Sequence, residues 1–215
     1  MNPYKTLLTS ASSEFIIQKS RFIGYGAPCE TEQDALDFLA SIREKHKDAS
    51  HNCYCYIIGP NMGVMRYSDD GEPGGTAGLP IIETVKKRAV TNCCVVVTRY
   101  FGGILLGAGG LARAYARGAQ EALAACGVGT MHPSVQAAFD VPYGLFGRIE
   151  RALEEMPVCR VEKDFSDTVT VSLWVREADV EALSARLTAL SEGQIELLPL
   201  ESAYLPWNEE DPAAH

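Results

Sequence analysis

Apolar positions along the chain switch between a two-residue and a four-residue spacing, and the switches mark out strands and helices. Two strand-like runs open it, Glu14 to Gln18 and Arg21 to Gly26. Thr31 with Asp34 three residues on is a capping-box arrangement, and Ala35, Leu36, Leu39 and Ile42 then supply the apolar stripe of a helix. Strand patterns return at Cys53 to Ile58 and Gly63 to Tyr67. Pro80 suits the first turn of a second helix, with Ile82 and Val85 inward and Lys86-Lys87-Arg88 near its C-terminus, where cations suit the dipole. Cys93-Cys94-Val95-Val96-Val97 reads as a buried strand, and the Ala- and Leu-rich stretch from Gly109 to Cys126 as a long helix. This mixture predicts an α+β sandwich with its helices gathered on one face of the sheet.

Gly127-Val128-Gly129-Thr130-Met131-His132-Pro133 is small and turn-prone, and marks a boundary. Beyond it the pattern predicts a strand (Val135 to Val141), a helix (Leu145 to Met156) and strands at Val158 to Asp164 and Val169 to Val175. A helix (Ala178 to Leu190) and a closing strand (Gln194 to Leu200) follow. That βαββαβ order is the ferredoxin-like plait. The expected organisation is therefore a domain of residues 1–130, a second of residues 131–205, and an acidic flexible tail, 206–215.

Two segments concentrate chemistry. In the first, Thr98 to Tyr115, five glycines (Gly102, Gly103, Gly107, Gly109, Gly110) fall in nine positions between Arg99-Tyr100 and Arg113. A glycine-rich strand-to-helix turn aims amide N–H groups outward at a helix N-terminus, a phosphate or polyanion site with two arginines as clamps. The same glycines equally suit a hinge that packs a helix tightly on a sheet. The second, Ser68-Asp69-Asp70-Gly71-Glu72-Pro73-Gly74-Gly75-Thr76-Ala77-Gly78, crowds three carboxylates into one turn-rich loop. Such acids repel one another unless a cation lies near, so Mg²⁺ or a pairing with Arg99 is expected, beside the plainer reading of a solvated turn. The two segments should then meet, with Arg99 in salt-bridge reach of Asp69, Asp70 or Glu72.

Composition narrows the function. Apolar residues are 47% of the 215, enough for real cores, and no apolar run reaches membrane-spanning length. The start, Met1-Asn2-Pro3-Tyr4-Lys5, lacks the regions of a signal peptide, so a soluble cytoplasmic protein is expected. Seven cysteines then suggest reduced thiols, with Cys93 and Cys94 in a core. His51, Cys53 and Cys55 alternate as one face of a strand rather than as a zinc set. The net charge of −9 divides into about +1 over residues 1–130 and −10 over 131–215. Anion binding therefore belongs to the first half, and the acidic second half repels RNA or faces a basic protein partner.

Together the two segments resemble the YigZ/IMPACT family, whose members share S-D-D-G-E-P-x-G-T-A-G and R-Y-F-G-G-x-x-L-G-x-G-G-L-x-R-A-Y. Ser20-Arg21-Phe22-Ile23-Gly24 and His51-Asn52-Cys53 match as well, so the resemblance spans residues 10 to 126 and a bacterial, YigZ-like C-terminal domain follows. Leu79 and Leu105 stand where many members carry lysine, and Gly74 where serine is common. The resemblance implies a first domain like elongation factor G domain IV and the GHMP kinases, and a second like domain V. It also implies a link to translation, because eukaryotic members are associated with control of initiation.

The reading that follows is a non-enzymatic regulatory protein that contacts RNA or ribosomal components weakly, with no cofactor and no membrane. Its anion site would comprise Arg99, Tyr100, Gly102, Gly103, Gly107, Gly109, Gly110 and Arg113. Two alternatives stand beside it. One is an enzyme acting on a small phosphorylated or nucleotide substrate with Mg²⁺ held by the acidic loop through Asp69, Asp70 or Glu72, although no nucleophile–base pair is visible and no catalytic residue is assigned. The other is a pure protein-interaction domain in which the two motifs lock each other.

Overall fold

The computed structural model describes residues 2–207, so all of the expected tail from Asn208 on lies outside the described residues. The chain divides into two compact units, one of residues 4–130 and one running on from Met131 that also takes in the first residues. The elements are strands β1 (Tyr4–Leu7), β2 (Ala11–Ile17) and β3 (Ser20–Pro28), helix α1 (Glu32–Lys45), strands β4 (His51–Ile58) and β5 (Val64–Ser68), helix α2 (Gly78–Lys87), strand β6 (Cys93–Tyr100) and helix α3 (Gly107–Cys126). Strand β7 (Val128–Val141), helix α4 (Tyr143–Leu153), strands β8 (Val158–Phe165) and β9 (Val169–Arg176), a 3₁₀ turn (Glu177–Asp179), helix α5 (Val180–Ser191) and strand β10 (Leu198–Pro206) complete it. The fold is α+β.

In the first unit five strands form an antiparallel sheet in the order β2-β3-β6-β4-β5. The Thr31 capping box forms as the spacing predicts: the Thr31 hydroxyl accepts from the Asp34 amide and the Asp34 carboxylate accepts from the Thr31 amide. The helices are not gathered on one face. Helices α2 and α3 pack against Phe22, Cys53, Cys55, Ile57, Cys93, Val95 and Val97. Helix α1 covers the opposite face through Ala35, Leu39 and Ile42, against Ile23, Tyr25, Tyr56, Cys94 and Val96. Strand β6 is thus buried on both faces, which is why its run Cys93 to Val97 is continuously apolar instead of alternating.

Helix α3 approaches the sheet at glycine contacts. A Cβ on Gly118 would lie 2.8 Å from Val97 Cγ1, and one on Gly24 would lie 2.4 Å from the Gly118 carbonyl oxygen. The seven cysteines are all free, and six are buried. Burial pushes the Cys53 thiol up to about 12 and the Cys29 thiol up to about 11, so both stay protonated.

The second unit has the βαββαβ order of the ferredoxin-like plait, with sheet neighbours β10-β7-β9-β8. Its core joins Phe139, Val141, Ile149, Val171, Leu173, Leu183 and Leu187. Two sequence expectations differ here. The turn-prone stretch Gly127 to Pro133 is strand from Val128 on, and within it Met131, His132 and Pro133 find antiparallel partners in Pro206, Leu205 and Tyr204. The closing strand begins at Leu198 rather than Gln194. Glu192 and Gly193 turn left-handed after α5 and send Ile195 into the core before the chain extends.

Candidate functional site

The acidic loop between β5 and α2 separates its three carboxylates instead of pooling them. Asp69 caps α2 from outside: one oxygen accepts from the Ala77 and Gly78 amides at 3.0 and 2.8 Å, the other from Gly75 at 2.8 Å. Ala77, at the N-cap, has no side chain for that task, so Asp69 satisfies amides that α2 leaves open. Asp70 accepts from the Asn52 amide at 2.7 Å and from Arg43 Nη2 at 3.2 Å, and His51 Nδ1 donates to its carbonyl.

Glu72 turns inward, with 3% of its side chain exposed. Its Oε1 accepts from Arg99 Nη1 and from the Tyr115 hydroxyl, both at 2.7 Å, with His51 Nε2 3.9 Å away. Among the described residues no three His, Cys, Asp or Glu side chains converge as a metal set would require. Both oxygens of Asp69 and of Asp70 accept from amides or from Arg43, and Glu72 turns a bonded oxygen toward Arg99 and Tyr115, so the three carboxylates diverge instead of converging as a magnesium site needs.

The glycine segment meets this loop through Arg99. Its side chain is 6% exposed, so it is a buried partner of Glu72 and not a clamp facing solvent. Desolvating two charges is costly, and the Tyr115 hydroxyl helps to compensate. Burial holds the Tyr115 phenol well above its ordinary value, so it donates at every physiological pH. The Arg99 guanidinium also stacks near the rings of Phe22 and Phe101, at 5.5 and 5.3 Å, while its Nε is buried without a hydrogen-bond partner.

Tyr100, next along β6, faces the other side of the sheet and does not join Arg99. Its hydroxyl meets His46 Nδ1 at 2.8 Å and donates to Asp48 at 3.2 Å, while His46 Nε2 takes the Tyr25 hydroxyl at 2.6 Å. Burial lowers the His46 pKa, with Lys45 and Arg21 adding to the shift. Strand alternation alone separates Arg99 from Tyr100.

The two sequence readings of the glycines both occur, at different glycines. Gly102 is a packing position: a Cβ there would lie 2.0 Å from the Lys19 carbonyl carbon, and its amide donates to Ser20 Oγ at 3.1 Å. Gly103 and Gly107 take φ of +83° and +68°, which glycine adopts without strain. Gly107 and Gly109 are exposed and Gly110 is half-buried, all in the first turn of α3. That turn has no side-chain cap and no acidic residue. Arg113, one turn on, is exposed and lies back along it, its Nη1 3.5 Å from where a Gly109 Cβ would stand.

Sequence reasoning missed Ser20, Tyr115 and the His46 cluster as working parts. Ser20 and Tyr115 lie inside the motif segments and were legible as polar groups at strand and helix positions. His46, at the C-cap of α1, carried no local signal.

A small α+β sandwich that locks an acidic loop to a glycine-rich helix start, followed by a plait, defines the class of protein. The sequence matches the Impact N-terminal domain over residues 18–123 and a domain of unknown function, DUF1949, over residues 139–194. The chain is 39% identical to the IMPACT family member YvyE of Bacillus subtilis, over 95% of this chain and 94% of that one. It is 35% identical to Protein IMPACT of Mus musculus over 95 residues, 42% of this chain and 29% of the mouse protein. A solved structure described as that of a hypothetical protein superposes with a TM-score of 0.60 at 32% identity, covering 94% of this chain and 98% of the other. The chain belongs to the IMPACT family.

Proposed function

We propose that this protein acts in the regulation of translation by binding, and that its first unit contacts RNA or ribosomal components at the start of α3. The observation that carries the reading is the uncapped, glycine-lined first turn with Arg113 laid along it. A cation there opposes the positive end of the helix dipole, and an anionic ligand relieves both. Arg99 is excluded as a contact by its burial, so Arg113 is the arginine that remains. Family membership, with its eukaryotic branch, supports the link to translation.

Leu79 and Leu105, where relatives offer lysine, are 41% and 84% exposed, so two cations are missing from the surface. Affinity is accordingly expected near a non-specific Kd of ~10⁻⁴–10⁻⁶ M. The acidic second unit repels RNA or meets a basic protein partner.

Fluorescence anisotropy with a short labelled RNA tests this. Arg113→Ala weakens binding and lowers the dependence of log K on log salt by about one contact. Leu105→Lys tightens it. An Arg113→Ala protein with unchanged affinity and unchanged salt slope would sink the proposal.

A further inference from the structure

Phe101 is the first residue beyond β6, two past the buried Arg99, and stands 48% exposed. Its backbone is held at two consecutive amides: Phe101 N donates to Ser50 Oγ at 3.0 Å, and Gly102 N to Ser20 Oγ at 3.1 Å. Gly102 is pressed against the main chain of Lys19, with no room for a side chain, so this stretch has no slack through which the ring could fold away. The Arg99 guanidinium lies 5.3 Å from the ring centroid and is itself fixed by Glu72. An apolar ring held rigidly in water keeps a hydrophobic free energy that a flat ligand recovers.

Lys19 is exposed at the turn against which Gly102 packs, and Arg113 lies along the start of α3, six residues beyond the ring at Gly107. Six residues reach at most about 20 Å, so the ring and the exposed amides lie within a few nucleotides of each other.

We propose that Phe101 is a stacking platform for an unpaired base, so that the ligand of the α3 site is single-stranded RNA. This rests on the RNA-contact reading given above. Stacking is tolerant of base identity because every base has a π face, and a duplex offers no such face within its stack. Arg99 is then a positioning residue. It touches no RNA, but its guanidinium backs the ring and the ion pair with Glu72 keeps it there.

Binding of the full chain to a short oligouridylate and to a mixed-sequence RNA duplex separates the outcomes. Phe101→Leu is expected to weaken oligouridylate binding about tenfold, within the range for one base on an aromatic ring, and to leave duplex binding unchanged. Phe101→Trp restores or improves single-strand binding. Equal losses on both RNAs would mean that the ring only holds the loop, and wild-type binding by Phe101→Leu would mean that it stacks nothing; either overturns the inference. Arg113→Ala tells the two proposals apart. If it weakens both RNAs while Phe101→Leu changes neither, the anion site stands and the stacking fails. If neither variant changes anything, the RNA reading itself fails.

Discussion

Removing the Glu72 carboxylate is the sharpest test of how the two motif segments are joined. Glu72 and Arg99 have 3% and 6% of their side chains exposed and meet at 2.7 Å. In Glu72→Ala, Arg99 Nη1 and the Tyr115 hydroxyl lose their acceptor, and the guanidinium already carries a buried Nε with no partner. Stranding one member of a buried pair costs about 3–5 kcal/mol, a large share of the ~5–15 kcal/mol that holds a typical domain folded. Glu72→Gln keeps the volume and an oxygen for both donors while losing the charge, and is expected to cost about 1–3 kcal/mol. Arg99→Met combined with Glu72→Gln removes the uncompensated cation and should be more stable than Glu72→Ala.

Urea unfolding followed by two probes reads this out. Both tryptophans, Trp174 and Trp207, belong to the second unit, whereas far-ultraviolet circular dichroism reports both units. The circular dichroism midpoint should fall in Glu72→Ala by more than the tryptophan fluorescence midpoint. A loss under about 1 kcal/mol, the worth of an exposed ion pair, would refute a buried lock.

Two further outcomes follow from packing and protonation. His46 is held neutral in the fold by burial, while the unfolded chain binds that proton near the ordinary value of about 6.5, so the unfolded state takes up more protons in mild acid. This contribution to stability is complete above that pH and lost as pH falls below it, and a His46→Asn protein should show a flatter acid limb in thermal melts at stepped pH. Gly102→Ala should be strongly destabilising, because its Cβ meets the Lys19 main chain at 2.0 Å. Gly74→Ala, which meets nothing within 4 Å, should be neutral or gain about 0.4–1 kcal/mol; equal midpoints for the two variants would refute the steric account.

Placing Arg99 inside also changes the meaning of the acidic loop. Glu72 positions Arg99, Asp69 caps α2, and Asp70 ties the loop to α1 through Arg43 and to β4 through the Asn52 amide. Three acids close in sequence therefore do three separate structural jobs. The exposed chemistry of the segment shifts to Phe101, the first turn of α3 and Arg113.

Local periodicity and capping are properties of short stretches of chain, which is why they could be read before any contact was known. The Thr31–Asp34 box, the apolar stripe of α1, the buried run of β6 and the βαββαβ order of the second unit all rest on neighbours within a few residues. So does the family resemblance, carried by two unbroken motifs. What the tertiary structure alone decided depends on groups far apart in sequence. Glu72 finds Arg99 27 residues away and Tyr115 43 residues away, and no spacing rule distinguishes that carboxylate from Asp69 or Asp70. Alternation states that Arg99 and Tyr100 face opposite sides of β6, but only the placement of α1 across from α2 and α3 makes both sides interior. Met131 to Pro133 likewise lie in a run with the composition of a turn, and are strand because β10 returns from the far end of the described chain to pair with them. Backbone and carboxylate groups must find partners once buried, and which partners they find is settled by the fold as a whole.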